Sequence, residues 1–202
     1  MIKSTKKIQF LMSLFFFFIL VACGNNSENE STESAEAKAV LIESETTSSR
    51  ALKLTASADI PSMDMIAATD LVSFTVMNNV FEGLYTLDLE GQVIPASAKD
   101  MPEVSEDGLT YTFTIREDAN WSNGDPVTSA DYIYAWRKMV DPAMGAGYSY
   151  MYDGLIRNAS EILADELNPE ELAVEAVSDK LLKVTLAQPT PYFLDLLTLP
   201  FF

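Results

Sequence analysis

Residues 106–142 read EDGLTYTFTIREDANWSNGDPVTSADYIYAWRKMVDP, and this run contains a strand, a loop and a helix in order. Glu106-Asp107-Gly108 is a turn. After it Leu109, Tyr111, Phe113 and Ile115 alternate with Thr110, Thr112, Thr114 and Arg116, the period of a half-buried strand with the threonines on its wetter face. The polar loop Trp121-Ser122-Asn123-Gly124-Asp125-Pro126 follows. Thr128 with Asp131 three residues on is close to a capping box, so a helix is predicted to start there. Tyr132, Ile133, Ala135, Trp136, Met139 and Val140 recur at helical spacing, and Asp141-Pro142 stops the run.

The loop and helix also carry a resemblance. Gly-Leu-Thr-Tyr-Thr-Phe, then Trp-Ser-Asn-Gly-Asp-Pro-Val-Thr, Ser-Ala-Asp-Tyr, Tyr-Ala-Trp-Arg-Lys and Asp-Pro, in this order, resemble the signature of the oligopeptide-binding proteins of bacterial ABC importers. Phe81-Glu82-Gly83-Leu84 and Pro95-Ala96-Ser97-Ala98 continue it. The resemblance implies an α/β fold of the periplasmic-binding-protein-like class II, two lobes around a cleft. Residues 51–81 would enter the large lobe (domain I) and residues 82–202 would form most of the small α/β lobe (domain II). The rest of domain I and all of domain III would lie outside this chain, which is expected to be an N-terminal fragment.

Composition bounds the chemistry. With 202 residues, 48% apolar and 21% charged, the chain is of globular type and long enough for a sizeable core. Its 13 basic and 30 acidic residues give a formal net charge of −17, which disfavours nucleic acid as a partner. There is no histidine and one cysteine. This removes the usual neutral-pH general base, the Ser-His and Cys-His pairs, and an internal disulfide. No calcium-loop pattern occurs, so no metal or cofactor is expected, and no catalytic residues are assigned.

Residues 1–22 read as an export signal: Lys3, Lys6 and Lys7 precede an apolar run from Ile8 to Val21 that is short for a spanning helix. Leu20-Val21-Ala22-Cys23-Gly24 resembles the lipobox of bacterial lipoproteins, which implies that Cys23 is lipidated and anchors the protein to the extracytoplasmic face of the cell membrane. Asn25 to Arg50 is rich in Ser, Thr and Glu and is expected to be a disordered tether. A coil of that length reaches about 28 Å.

Ala51 to Ser57 alternates as a short strand, and Leu71, Phe74, Met77 and Phe81 draw a helical face expected in the core. Leu84–Leu87 and Val93–Pro95 flank a turn at Asp88–Gly91. Three tyrosines at 148, 150 and 152 cannot all face one core if helical, so at least one phenol should meet a groove or solvent. Glu161–Leu167 is expected to be helical, Asn168-Pro169 to start a helix, and residues 172–186 to form a hairpin turning at Ser178-Asp179-Lys180.

Capture of peptides regardless of sequence needs main-chain partners along an extended ligand and roomy pockets for its side chains. The resemblance places the main-chain contact on Thr69-Asp70-Leu71, where Met65 departs from the family's usual proline. A helix cap at Thr69 or Asp70 is the structural alternative. Tyr148, six residues beyond Asp141-Pro142, falls where the family sets a tyrosine against the ligand. A partly buried core tyrosine is the alternative. Trp121 and Trp136 are expected in the core, and Asp125 and Asp131 have turn and cap tasks that require no catalytic dyad. The implied function is solute capture for peptide import, with the permease subunits as partners. Other readings are a signal-peptide, sugar or nickel-complex binder on the same scaffold, a carboxylate-based hydrolase, and a truncated remnant.

Overall fold

The computed structural model describes residue 53 and residues 55–202. The export signal, Cys23 and the tether lie outside the described residues.

The quoted stretch forms the elements expected of it. Strand β4 (Thr110–Thr114) buries Tyr111 and Phe113, and Ile115 just beyond it is also buried. Helix α2 (Ser129–Val140) starts at Thr128, whose N–H and hydroxyl both donate to the Asp131 carboxylate, at 2.7 and 2.9 Å. This reciprocal cap satisfies donors that a helix start leaves without intrahelical partners.

The hairpin that packs with this unit is β5 (Val174–Ser178) and β6 (Leu181–Thr185). β6 lies antiparallel between β5 and β4, with Phe113 opposite Leu182 and Tyr111 opposite Val184. A strand not foreseen, β3 (Glu103–Val104), joins the other edge of β4, so the order is β3-β4-β6-β5. Helix α2 packs against β5. Its N-terminus is pinned to the β5–β6 turn: Ser129 donates from its hydroxyl to Ser178 O at 2.6 Å and from its N–H to Asp179 O at 2.8 Å. Lys180 Nζ donates to Val127 O at 2.8 Å. Ser129 is fully buried, so only a small hydroxyl side chain both fits and satisfies that carbonyl.

A two-stranded ribbon, β1 (Tyr85–Leu87) and β2 (Val93–Pro95), turns through Asp88–Gly91 as expected. Asp88 Oδ1 accepts from the N–H groups of Glu90 and Gln92, and Gly91 takes φ +76°. Arg116 ties this region to the sheet through Ala96 O, Glu82 and Asp118. The core gathers Tyr85, Tyr111, Phe113 and Phe193 from the strands and from the short helix α4 (Phe193–Leu196), together with Trp136 and Val140 of α2.

Several expectations are corrected. Of the strand expected over Ala51 to Ser57, residues 53 and 55–57 are not in a strand, and residues 51, 52 and 54 lie outside the described residues. Helix α1 (Leu71–Val80) is present, but it buries Ser73 and Met77 while Leu71 is 81% and Phe81 41% exposed. Trp121 is 45% exposed, unlike Trp136 at 1%. Helix α3 ends at Leu163 (Ala159–Leu163), short of Leu167, because Asp165 turns into the left-handed region at φ +60°. Asn168-Pro169 opens only a single 3-10 turn, Pro169–Glu171. In the hairpin a register shift between Ala176 and Ser178 leaves Ala176 exposed, breaking the alternation.

Candidate functional site

The loop entering α1 is built by aspartates. Asp64 Oδ1 accepts from Ile66 N–H at 2.9 Å and Asp64 O accepts from Ala67 and Ala68, which closes the turn holding Met65 without a proline. Asp70 is the N-cap of α1: its carboxylate accepts from the Ser73 N–H at 2.9 Å and the Ser73 hydroxyl at 2.8 Å. Those two donors hold its pKa below the ordinary carboxylate value. The side chain of Asp70 is thereby committed to the helix. Between the two turns, Thr69 is exposed, and no described residue hydrogen-bonds to its N–H or C=O. The backbone of Thr69 is free to pair with an extended chain, whereas the carbonyls of Asp70 and Leu71 accept from Phe74 N–H and the Thr75 hydroxyl.

Tyr148 heads the 3-10 turn Ser149–Tyr152 and is half-buried. One face of its ring is stacked on Phe201, centroids 4.4 Å apart and planes 6° from parallel. Phe74 of α1 meets it edge-on at 5.5 Å, and Tyr150 stands at 5.9 Å. No described residue hydrogen-bonds to the Tyr148 phenol. Of the three tyrosines, Tyr152 is fully buried and donates to Phe201 O at 2.8 Å, whereas Tyr150 is 62% exposed.

These two regions meet. Gly147, next to Tyr148, lies against Thr69 so closely that a methyl in place of its hydrogen would overlap Thr69 Cγ2. Phe74, one helical turn beyond Asp70, touches the Tyr148 ring. The segment Thr69-Asp70-Leu71 and Tyr148 are thereby brought side by side, offering the free main-chain groups of Thr69, a phenol and an exposed leucine. The chemistry this provides is hydrogen bonding and apolar contact.

A separate hollow of about 680 Å³ is lined by residues including Phe81, Tyr85, Trp121, Tyr132, Trp136 and Leu199, and neither Tyr148 nor residues 69–71 line it. Trp121 faces this hollow rather than the core. Its place at the head of a turn closed by Gly124 N–H to Trp121 O and Trp121 N–H to Asp125 O was the available signal, since a turn residue is more often exposed than buried.

Comparison with known proteins gives the fold a family. The family model described as "Bacterial extracellular solute-binding proteins, family 5 Middle" matches residues 92–202. The chain is 38% identical over 182 residues to the dipeptide-binding protein of Lactococcus lactis subsp. cremoris, covering 90% of this chain and 29% of that protein. It is 36% identical over 188 residues to the oligopeptide-binding protein OppA of Bacillus subtilis, covering 92% and 32%. The structure of Listeria monocytogenes OppA bound to peptide superposes with a TM-score of 0.71 at 49% identity, over 73% of this chain and 29% of that one. The chain thus spans about a third or less of the length of these relatives. Matched by the family model over more than half its length, it belongs to the bacterial extracellular solute-binding proteins of family 5.

Proposed function

We propose that the protein carrying this sequence captures extracellular oligopeptides and delivers them to the permease subunits of an ABC importer. It binds without breaking a bond. The observation that carries this reading is the meeting of Thr69, with its unpaired main-chain groups, and the Tyr148 phenol on one surface. An extended peptide pairs through its backbone with the first and accepts or donates at the second, so its side-chain sequence matters little. Relatives named as dipeptide- and oligopeptide-binding proteins, and a related structure bound to peptide, support the same ligand class.

The test is isothermal titration of the full-length protein with a mixed pool of tri- to hexapeptides. Saturable heat is expected, and Tyr148→Phe should weaken half-saturation by roughly three- to tenfold, the worth of one hydrogen bond. Absence of heat from the wild-type protein sinks the peptide reading; an unchanged Tyr148→Phe variant removes Tyr148 from the contact surface.

Cys23 supplies the second element of the proposal, a lipid anchor that keeps the binding protein beside its permease. A diacylglyceryl group with an amide-linked acyl chain meets the need for more than one hydrocarbon anchor. Cys23→Ser is expected to move the protein from the membrane fraction to the medium or soluble fraction. Full retention of the variant in washed membranes contradicts the anchor.

A further inference from the structure

We propose that Phe74 is a positioning residue that holds the two halves of the peptide-contacting surface in register, the backbone of residues 69–71 on one side and the Tyr148 phenol on the other. This rests on the peptide-capture reading given above.

Among the described residues, no hydrogen bond or ion pair connects residues 55–81 to residues 82–202: the side-chain bonds of the first segment run between Ser62, Asp64, Asp70, Ser73, Thr75 and Asn79 and their own neighbours. α1 takes no part in the sheet. Its attachment is apolar packing, which is non-directional and by itself leaves sliding and rotation weakly opposed. Phe74 is the exception. It meets Tyr148 edge-on at 5.5 Å and 63°, and Phe201 at 6.0 Å and 58°. Phe201 in turn covers the face of Tyr148. Such aromatic arrangements prefer particular angles, so the three rings specify an orientation that aliphatic contacts do not.

The phenol that Phe74 steadies belongs to the ring whose face is already covered by Phe201. With that face covered, the hydroxyl is the group of Tyr148 that can bond a ligand, and a hydroxyl is useful only at a defined distance and angle from its partner. Gly147 complements the clamp: its bare α-carbon lets Thr69 come against the residue preceding Tyr148. Phe74 thus sets where the phenol stands relative to the free main-chain groups of Thr69, while touching no peptide itself.

The test is a double-mutant cycle on the full-length protein with the mixed tri- to hexapeptide pool as probe. Phe74→Leu, which keeps apolar bulk and removes the ring, is expected to raise the half-saturating concentration about fivefold, and Phe74→Tyr to leave it near wild type. In the Tyr148→Phe background the same Phe74→Leu change should cost at most about twofold, because the group it positions is gone. Full additivity, or wild-type affinity in Phe74→Leu while Tyr148→Phe is weakened, overturns the proposal and leaves the peptide reading standing. No binding by the wild-type protein, or no effect of Tyr148→Phe, overturns both. If Phe74→Leu fails to fold, Phe201→Leu removes the other ring of the clamp, and the same coupling to Tyr148 is expected of it.

Discussion

Trp136→Ala is expected to destabilise the fold by about 3–5 kcal/mol, a large share of the roughly 5–15 kcal/mol that holds a domain together. Trp136 is 1% exposed on α2, packed edge-on against Tyr132 at 6.3 Å, and belongs to the cluster that joins helix to sheet. Removing it leaves a void that a helix pinned at its start by Ser129 and Asp131 cannot collapse to fill. Trp136→Phe should cost much less, about 1–2 kcal/mol. The indole N–H of Trp136 is buried with no hydrogen-bond partner among the described residues, so its loss relieves a desolvated donor while the ring is largely kept. Urea unfolding followed by circular dichroism measures both. Fluorescence of the 202-residue chain adds a second reading: of its two tryptophans Trp121 remains, and at 45% exposure its emission should already be red-shifted in the native state. A Trp136→Ala variant within about 1 kcal/mol of wild type contradicts the packing argument.

What made α2 and β4 legible is that each signal was local and each had a single interpretation. Tyr111, Phe113 and Ile115 alternate with threonines, and the Thr128–Asp131 cap sits where the apolar period begins. β3 had no such signal. Glu103-Val104 is two exposed residues long, and it becomes a strand because the edge of β4 is open to it, a fact about the partner and not about the segment. α1 failed for a different reason. Leu71, Val72, Phe74, Val76, Met77 and Val80 leave little polar face, so a helix is predicted correctly while the buried side is undetermined. The buried stripe turns out to run through Ser73 and Met77, with Leu71 on the outside.

The candidate site was half legible. Tyr148 and residues 69–71 were identifiable from a family likeness, and the capping task of Asp70 from its residue type at a helix start. That the two segments meet depends on Gly147 and Phe74. A glycine needed for space rather than for its dihedral angles, and a phenylalanine on a helix whose apolar residues are spread around its axis, carry no mark in a sequence.

Raising the pH through about 10 is expected to unfold the domain steeply. Three phenols, the buried Tyr85 and Tyr152 and the half-buried Tyr132, have pKa values raised above the ordinary 10.0, in each case chiefly because burial penalises the phenolate. Tyr85 donates to Asp100 O at 2.9 Å and Tyr152 to Phe201 O at 2.8 Å; Tyr132 shares a hydrogen bond with Ser97. The sign follows from proton counting. Below pH 10 both states hold these protons and stability is unaffected. Above it the unfolded chain releases them and the native chain does not, so stability falls by up to about 1.4 kcal/mol per pH unit for each tyrosine. Tyr85 and Tyr152, whose phenols are pushed up furthest, carry most of this slope. Growing negative charge on a chain already at −17 pushes the same way, so the slope alone does not identify the cause. Tyr152→Phe separates the two. The variant is less stable near neutral pH, having lost its bond to Phe201 O, but its alkaline slope should be shallower than wild type by one tyrosine's share. Urea midpoints across this pH range at constant ionic strength read the slope directly. Equal slopes in the two proteins assign the alkaline loss to general charge repulsion and refute the role of the buried phenol.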